Sequence, residues 1–196
     1  MTMSINEHGP HGPQGLMDSG SGLEPQPTPV APTDAQALRE AFGRFPSGVI
    51  AVCGMVDDRP VGMAVSSFTS VSLAPPLVSV CLQTSSRTWP KLRQLPRLGL
   101  SVLGEQQGEV CRGLAGAEET RFAEVHWEAT GEGAVVLPGA VTWYTCTLRA
   151  ELPAGDHTIA LLEIDRLWTL PSAEPLVFHG SRFRRLDDGD RSAVPA

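Results

Sequence analysis

Lysine is almost missing from this chain: one of its 15 basic residues, Lys91, is a lysine and the rest are arginines. We read that bias as codon composition, without bearing on function. Basic residues as a whole are outnumbered by 22 Asp and Glu, for a formal net charge of −7. With no basic run, the balance argues against nucleic acid as a partner, because phosphate backbones call for clustered Lys and Arg. No apolar run approaches the roughly 20 residues of a spanning helix, so no membrane span is expected. The four cysteines, Cys53, Cys81, Cys111 and Cys146, lie 28, 30 and 35 positions apart with no C-x-x-C pair. Zinc ligands need closer spacing and disulfide-stapled modules need more cysteine, so neither is expected, and no metal site is assigned. Cys53, Cys81 and Cys146 sit in apolar or β-rich runs, as small buried hydrophobes do, and the compartment expected is a reducing cytoplasm. The usual catalytic signatures are also missing: no G-x-S-x-G elbow, no H-E-x-x-H, no phosphate loop ending in G-K-[ST], no G-x-G-x-x-G. Asp57-Asp58 and Glu118-Glu119 read as solvated turns.

Residues 1–33 hold five of the 20 glycines and six of the 17 prolines, and no basic residue. They lack helical or alternating apolar periodicity and cannot offset an ordering entropy of about 1–2 kcal/mol per residue. This segment is expected to be disordered; it has neither the basic start nor the apolar centre of a secretory signal. The folded domain is expected over 34–186, followed by a charged tail over 187–196. Within it, Asp34 caps a short amphipathic helix over 35–42 that Gly43 and Pro46 close. Strands are expected over 49–53, 61–67, 69–73, 77–82, 98–103, 141–148, 157–164 and 176–178, with turns over 56–60 and 153–156. Helices are expected over 88–95 and 105–114. The doubled Pro75-Pro76 marks a bend or a sheet edge. Strands mostly follow strands and helices are few, so the fold class is mainly β (α+β): an antiparallel Greek-key barrel with a few flanking helices.

The densest chemical signal is a set of hydroxyls in otherwise apolar strands, ending in Gln83-Thr-Ser-Ser-Arg-Thr88. Short hydroxyls, backbone N–H groups at a helix start and an arginine make a phosphate cradle, with Arg87 able to grip bidentately.

The run Gly62-Met-Ala-Val-Ser-Ser-Phe-Thr-Ser-Val-Ser-Leu-Ala-Pro-Pro-Leu-Val-Ser-Val-Cys81 closely resembles the hallmark segment of the flavin reductase family, the small reductase components of two-component flavin monooxygenases. Thr84-Ser-Ser-Arg-Thr88, Arg121-Phe-Ala123, Gly155-Asp-His157 and Phe178-His-Gly-Ser-Arg-Phe183 match further family elements in the same order. The last departs from the pattern, with phenylalanine where tyrosine is usual and His179 between. The resemblance spans roughly 38–186.

The resemblance implies a split β-barrel that forms a homodimer, with FMN or FAD bound near the dimer interface. It implies hydride transfer from NADH or NADPH to the flavin, which then passes to a partner flavin-dependent monooxygenase or halogenase. Such chemistry is carried by the two cofactors, so the missing nucleophile and acid–base pair are consistent with it. By position, Met63, Ala64, Val65, Ser66 and Ser67 would lie against the isoalloxazine edge. Thr69, Ser70, Val71 and Ser72 would contact its pyrimidine side or the ribityl chain. Ser85, Ser86, Arg87 and Thr88 would hold the phosphate, with Arg121 and Phe122 closing on that end. His157 would face the ring or the nicotinamide as the catalytic residue, and His179 and Phe183 would lie on the nicotinamide side. Two other readings stay open: a flavin-binding barrel without reductase turnover, and a flavoenzyme acting directly on an organic substrate.

Overall fold

Val49-Ile-Ala-Val-Cys53 is apolar at every position because both of its faces are covered. Ile50 and Val52 point into one core with Val80, Leu82, Leu100 and Leu162. Val49, Ala51 and Cys53 point into a second with Leu103, Leu114, Val135 and Leu137. Burial pushes the Cys53 thiol up to about 12 and the Cys146 thiol likewise to about 12, as expected for thiols that serve as packing.

The computed structural model of the chain describes residues 29 and 31–186. The expected disorder over 1–33 lies, but for 29 and 31–33, outside the described residues, as does the charged tail from 187. The strands are β1 (Ser47–Gly48), β2 (Ile50–Val56), β3 (Arg59–Val65), β4 (Thr69–Leu73), β5 (Pro76–Gln83), β6 (Leu98–Val102), β7 (Glu128–Ala129), β8 (Val135–Val136), β9 (Thr142–Ala154), β10 (His157–Thr169), β11 (Val177–His179) and β12 (Arg182–Arg184). The helices are α1 (Ala35–Phe42), α2 (Trp89–Leu92) and α3 (Gly108–Ala115). Among the described residues no helix is long and apolar enough to cross a membrane.

Seven strands form one antiparallel sheet in the order β3-β2-β6-β9-β10-β5-β4. Its two edges, β3 and β4, are joined by residues 66–68 alone. Laid flat, seven strands at about 4.8 Å spacing would hold those edges about 29 Å apart. Three linking residues reach about 14 Å at full extension. The sheet must therefore curl until its edges approach, which closes it as a barrel. Ser67 prolongs the register of the β4–β5 pair, in which Thr69 lies opposite Ser79: its Oγ accepts from the Cys81 N–H at 2.9 Å and donates to the Cys81 carbonyl at 3.0 Å. One side chain thus takes over from the backbone ladder beyond the end of β4. Inside lies the first core, into which α2 also sends Trp89 and Leu92. Outside, α3 and the segment carrying β8 cover β2 and form the second. There β8 crosses β6 so closely that a Cβ on Gly99 would stand 1.9 Å from the Val135 carbonyl oxygen.

Several elements differ from their sequence expectations. β9 and β10 are 13 residues each, far longer than 141–148 and 157–164, and meet in a two-residue turn at Gly155-Asp156. Bulges at Leu161/Leu162 and between Ile164 and Arg166 shift the faces, so strict alternation fails along the strands although the pairing continues. α2 is a single turn, and the helix expected over 105–114 splits into a 3₁₀ turn at Glu105–Gln107 followed by α3. β1, β7, β8 and β12 are too short to announce themselves by period. The turn at Asp57-Asp58 is as expected, with φ of 49° and 58°, the left-handed pair that a two-residue hairpin needs. Asp34 caps α1, its Oδ1 accepting from Gln36 N and Ala37 N.

Candidate active site

Beyond the end of β5 the chain turns sharply before entering α2. Ser86 N–H donates to the Gln83 carbonyl at 3.0 Å, and the Ser86 hydroxyl accepts from Trp89 N–H at 3.1 Å. Thr84 is fixed from the other side: its N–H and hydroxyl both donate to the Asp156 carbonyl, at 2.9 and 3.0 Å. This arrangement leaves the amides of Ser85, Arg87 and Thr88 without a partner among the described residues. Arg87 beside them is exposed and in no ion pair among the described residues. Adjacent unpaired amides with a guanidinium form an anion-binding concavity.

This cradle ends a cleft of about 670 Å³. One wall is β3 and its continuation, Met63 to Ser67, and another is Cys81 to Gln83 of β5. The far wall, Leu114 to Glu119, follows from the end of α3. Arg121 holds the walls in place. Its Nε donates to the Gly116 carbonyl at 2.9 Å, and its Nη1 donates to the Gly62 carbonyl at 3.1 Å and to Thr88 Oγ1 at 2.6 Å. Gly62 needs its missing side chain there: a Cβ would stand 2.4 Å from Cys53 Sγ and 3.0 Å from the Phe122 ring. Lys91 hydrogen-bonds Glu118 across the mouth, and that bond, more than the charges of Lys91, Arg121 and Arg87, holds the Glu118 carboxyl below its usual range. His157, at the start of β10, lines the cleft with its Nδ1 on Asp156 Oδ1 at 2.7 Å. The same bond lowers the Asp156 carboxyl, so it stays ionised and accepts from Nδ1–H. Nε2 is then the nitrogen left to a ligand.

The cleft therefore unites Met63–Ser67, Ser85–Thr88, Arg121 and His157, expected from the sequence to act together. Thr88 takes a different part than expected, since its side chain is buried and its hydroxyl serves Arg121; its amide is without a partner among the described residues. Thr69, Ser70, Val71 and Ser72 are not brought to the cleft: they form β4, an exposed edge strand, with a bulge between Ser70 and Ser72. Phe122 packs into the outer core and lines the neighbouring cleft. His179 and Phe183 also lie elsewhere. The segment 178–183 is a hairpin turning at Gly180 (φ 57°) and Ser181 (φ 59°), and this pairs Phe178 with Phe183 across it, ring centroids 5.9 Å apart. Phe183 packs into the outer core beneath the Arg112 guanidinium. The spacing of the two aromatics is the spacing of a cross-strand pair. Sequence reasoning missed the wall 114–119, which carries no motif and reaches the site only because α3 lies across β3.

The residues fit a ligand with a phosphate at one end and a flat, polar-edged ring at the other. Among the described residues the cradle offers unpaired donors and the unpaired guanidinium of Arg87, and the slot beyond it is walled by Met63–Ser67. Fold and site together define a split-barrel cofactor-binding protein. Residues 42–187 match the family model described as the flavin reductase like domain. An NADH-dependent flavin reductase of Rhodococcus is 36% identical over 179 residues, covering 88% of this chain and 94% of that one. The NADH:FAD oxidoreductase SgcE6 of Streptomyces globisporus, solved with NAD and FAD fragments, superposes with a TM-score of 0.79 at 37% identity, covering 84% of this chain and all of that one. BorF, the flavin reductase component of a bacterial two-component tryptophan halogenase, is similar with a TM-score of 0.72 at 32% identity over 79% of this chain and 99% of its own. The chain belongs to the flavin reductase family.

Proposed function

We propose that this protein is an NAD(P)H-dependent flavin reductase that takes FMN or FAD into the cleft and passes the reduced flavin to a partner monooxygenase or halogenase. The observation that carries the reading is the cradle of unpaired amides and free Arg87 at one end of a slot walled by Met63–Ser67. A bound flavin supplies the ring that accepts hydride. The chain's own residues bind and orient. Ser85, Arg87 and the 85–88 amides hold the phosphate, and the Met63–Ser67 backbone lies along the ring edge. Ser67 keeps that wall rigid through its two bonds to Cys81. His157, steadied by Asp156, turns Nε2 toward the ring or the incoming nicotinamide.

The partner follows from the class of relative, since BorF serves a halogenase. A homodimer is supported by the apolar side chains left in water on β4 and on the β9–β10 hairpin: Leu73 is 96% exposed, and Val71, Leu152, Leu167 and Trp168 are exposed too. Four free cysteines agree with a reducing cytoplasm. Under anaerobic conditions, catalytic amounts of the full chain should bleach the absorbance of FMN or FAD when NADH or NADPH is added. Failure with both nicotinamides and both flavins would sink the proposal.

A further inference from the structure

The amide cradle runs directly into α2, and α2 is a single turn of four residues. A turn that short has no stability of its own, so its orientation comes from what it touches. Trp89 and Leu92 bury their side chains in the inner core. Apolar contacts are non-directional: they hold the turn down and leave its rotation about its own axis open. We infer that Glu151, on β9 and outside the cleft, is a positioning residue that fixes this rotation and so sets how tightly the cradle holds a phosphate. The inference rests on the reading of the cradle as the flavin phosphate site.

Glu151 grips both ends of the turn. Its Oε1 accepts from the indole Nε1–H of Trp89 at 2.8 Å, and its Oε2 pairs with Arg93 Nη2 at 2.9 Å. The two partners lie one helical turn apart, and the Arg93 N–H closes that turn on the Trp89 carbonyl at 2.9 Å. The indole N–H is the firmer anchor. Trp89 is 5% exposed, so its donor needs an acceptor, and a carboxylate is a strong one. The Arg93 side chain is half in water, where an ion pair adds little.

Trp89 carries the restraint to the cradle. Its backbone N–H donates to Ser86 Oγ at 3.1 Å, and the two residues between them, Arg87 and Thr88, hold two of the three unpaired amides. A rotation of α2 therefore moves those amides and the root of the Arg87 side chain together. Glu151 does not line the cleft and acts only through Trp89. It reaches α2 because β9 continues past Leu148: Glu151 stands opposite Ala160 of β10, and Ala160 opposite Val80 of β5, the strand that leads to the cradle.

The test compares FMN with riboflavin, which has the ring and no phosphate, by calorimetric titration of flavin-free full-length protein. Glu151→Ala should weaken FMN on the order of tenfold, as small misplacements of a binding group do, and leave riboflavin within about twofold. Retained riboflavin binding also reports an intact fold. Glu151→Gln keeps an acceptor for the indole and should restore most of the FMN affinity. Trp89→Phe keeps a ring in the core and drops the donor, so it should repeat the selective loss; it carries the test if Glu151→Ala fails to fold. Unchanged FMN binding in Glu151→Ala would overturn the assignment. So would equal weakening of both flavins, the mark of a merely structural role, or a glutamine variant no better than the alanine. A wild type that binds FMN no more tightly than riboflavin would instead overturn the reading of the cradle, whatever the variants do.

Discussion

Arg87 and Arg121 serve the same cleft in different ways. Arg121 spends Nε and Nη1 on three protein oxygens, from Gly116, Gly62 and Thr88, and so fastens α3's end, β3 and the cradle together. Arg87 is exposed and makes no ion pair among the described residues, which leaves its fork to a ligand. Arg87→Ala should therefore weaken FMN by about 1.5–3 kcal/mol, the range for a lost charged hydrogen bond, and scarcely change riboflavin, which has no phosphate. Calorimetric titration of the two flavins measures the difference; equal losses would contradict the assignment of Arg87 to the phosphate. The sequence points to both arginines as ligand contacts, because both lie in motif segments. Sequence cannot tell a free guanidinium from a committed one, since the commitment of Arg121 depends on carbonyls 5 and 59 positions away. The same limit explains Glu118: its doublet with Glu119 looks solvated locally, yet Lys91, 27 residues earlier, reaches it across the cleft mouth.

At the scale of elements, what repeats locally was legible and what pairs at a distance was not. The doubly covered β2, the capped α1 and the Asp57-Asp58 turn each carry their signal in consecutive residues. The full reach of β9 and β10 does not, because charged positions and bulges interrupt the alternation while the partner strand continues to supply hydrogen bonds. The 178–183 hairpin shows the opposite case. Phe183 reads as a nicotinamide-side contact by resemblance, yet pairing with Phe178 across a two-residue turn packs it against the outer core. The linker 66–68 is where an element's conformation decides the site. Ser67→Ala removes both partners of the Cys81 backbone groups and should destabilise the protein by about 1–3 kcal/mol, the cost of leaving such groups unpaired. Urea unfolding at equilibrium would show this as a lower midpoint at unchanged slope. A midpoint equal to the wild type would mean that this end of the β4–β5 pair does not depend on the hydroxyl.

For the molecule as a whole, closure of the sheet creates both the inner core and the slot. The strand β3 that forms one wall and the strand β5 that leads to the cradle are separated by four others in sheet order, and only curling brings Met63–Val65 and Cys81–Gln83 to one cleft. The outer layer presses on this barrel at Gly99, where β8 passes over β6. Gly99→Ala would force the Val135 backbone to move and should cost about 3 kcal/mol or more, at the upper end of overpacking. Thermal unfolding would report it as a fall in Tm, with flavin affinity less affected because the cleft lies on other strands. Full retention of stability would mean that β8 can lift from the barrel at little cost.

By itself the sequence determined the class of fold, the strand runs, the turn residues and the cradle segment 84–88, since each is written in residues that are neighbours along the chain. Tertiary structure alone decided that residues 114–119 form a wall and that Arg121 is a clamp. It also decided that β4 and the last hairpin stand outside the cleft. Those outcomes depend on which strands become neighbours when the sheet closes, and closure is a property of the whole strand order that no local pattern contains.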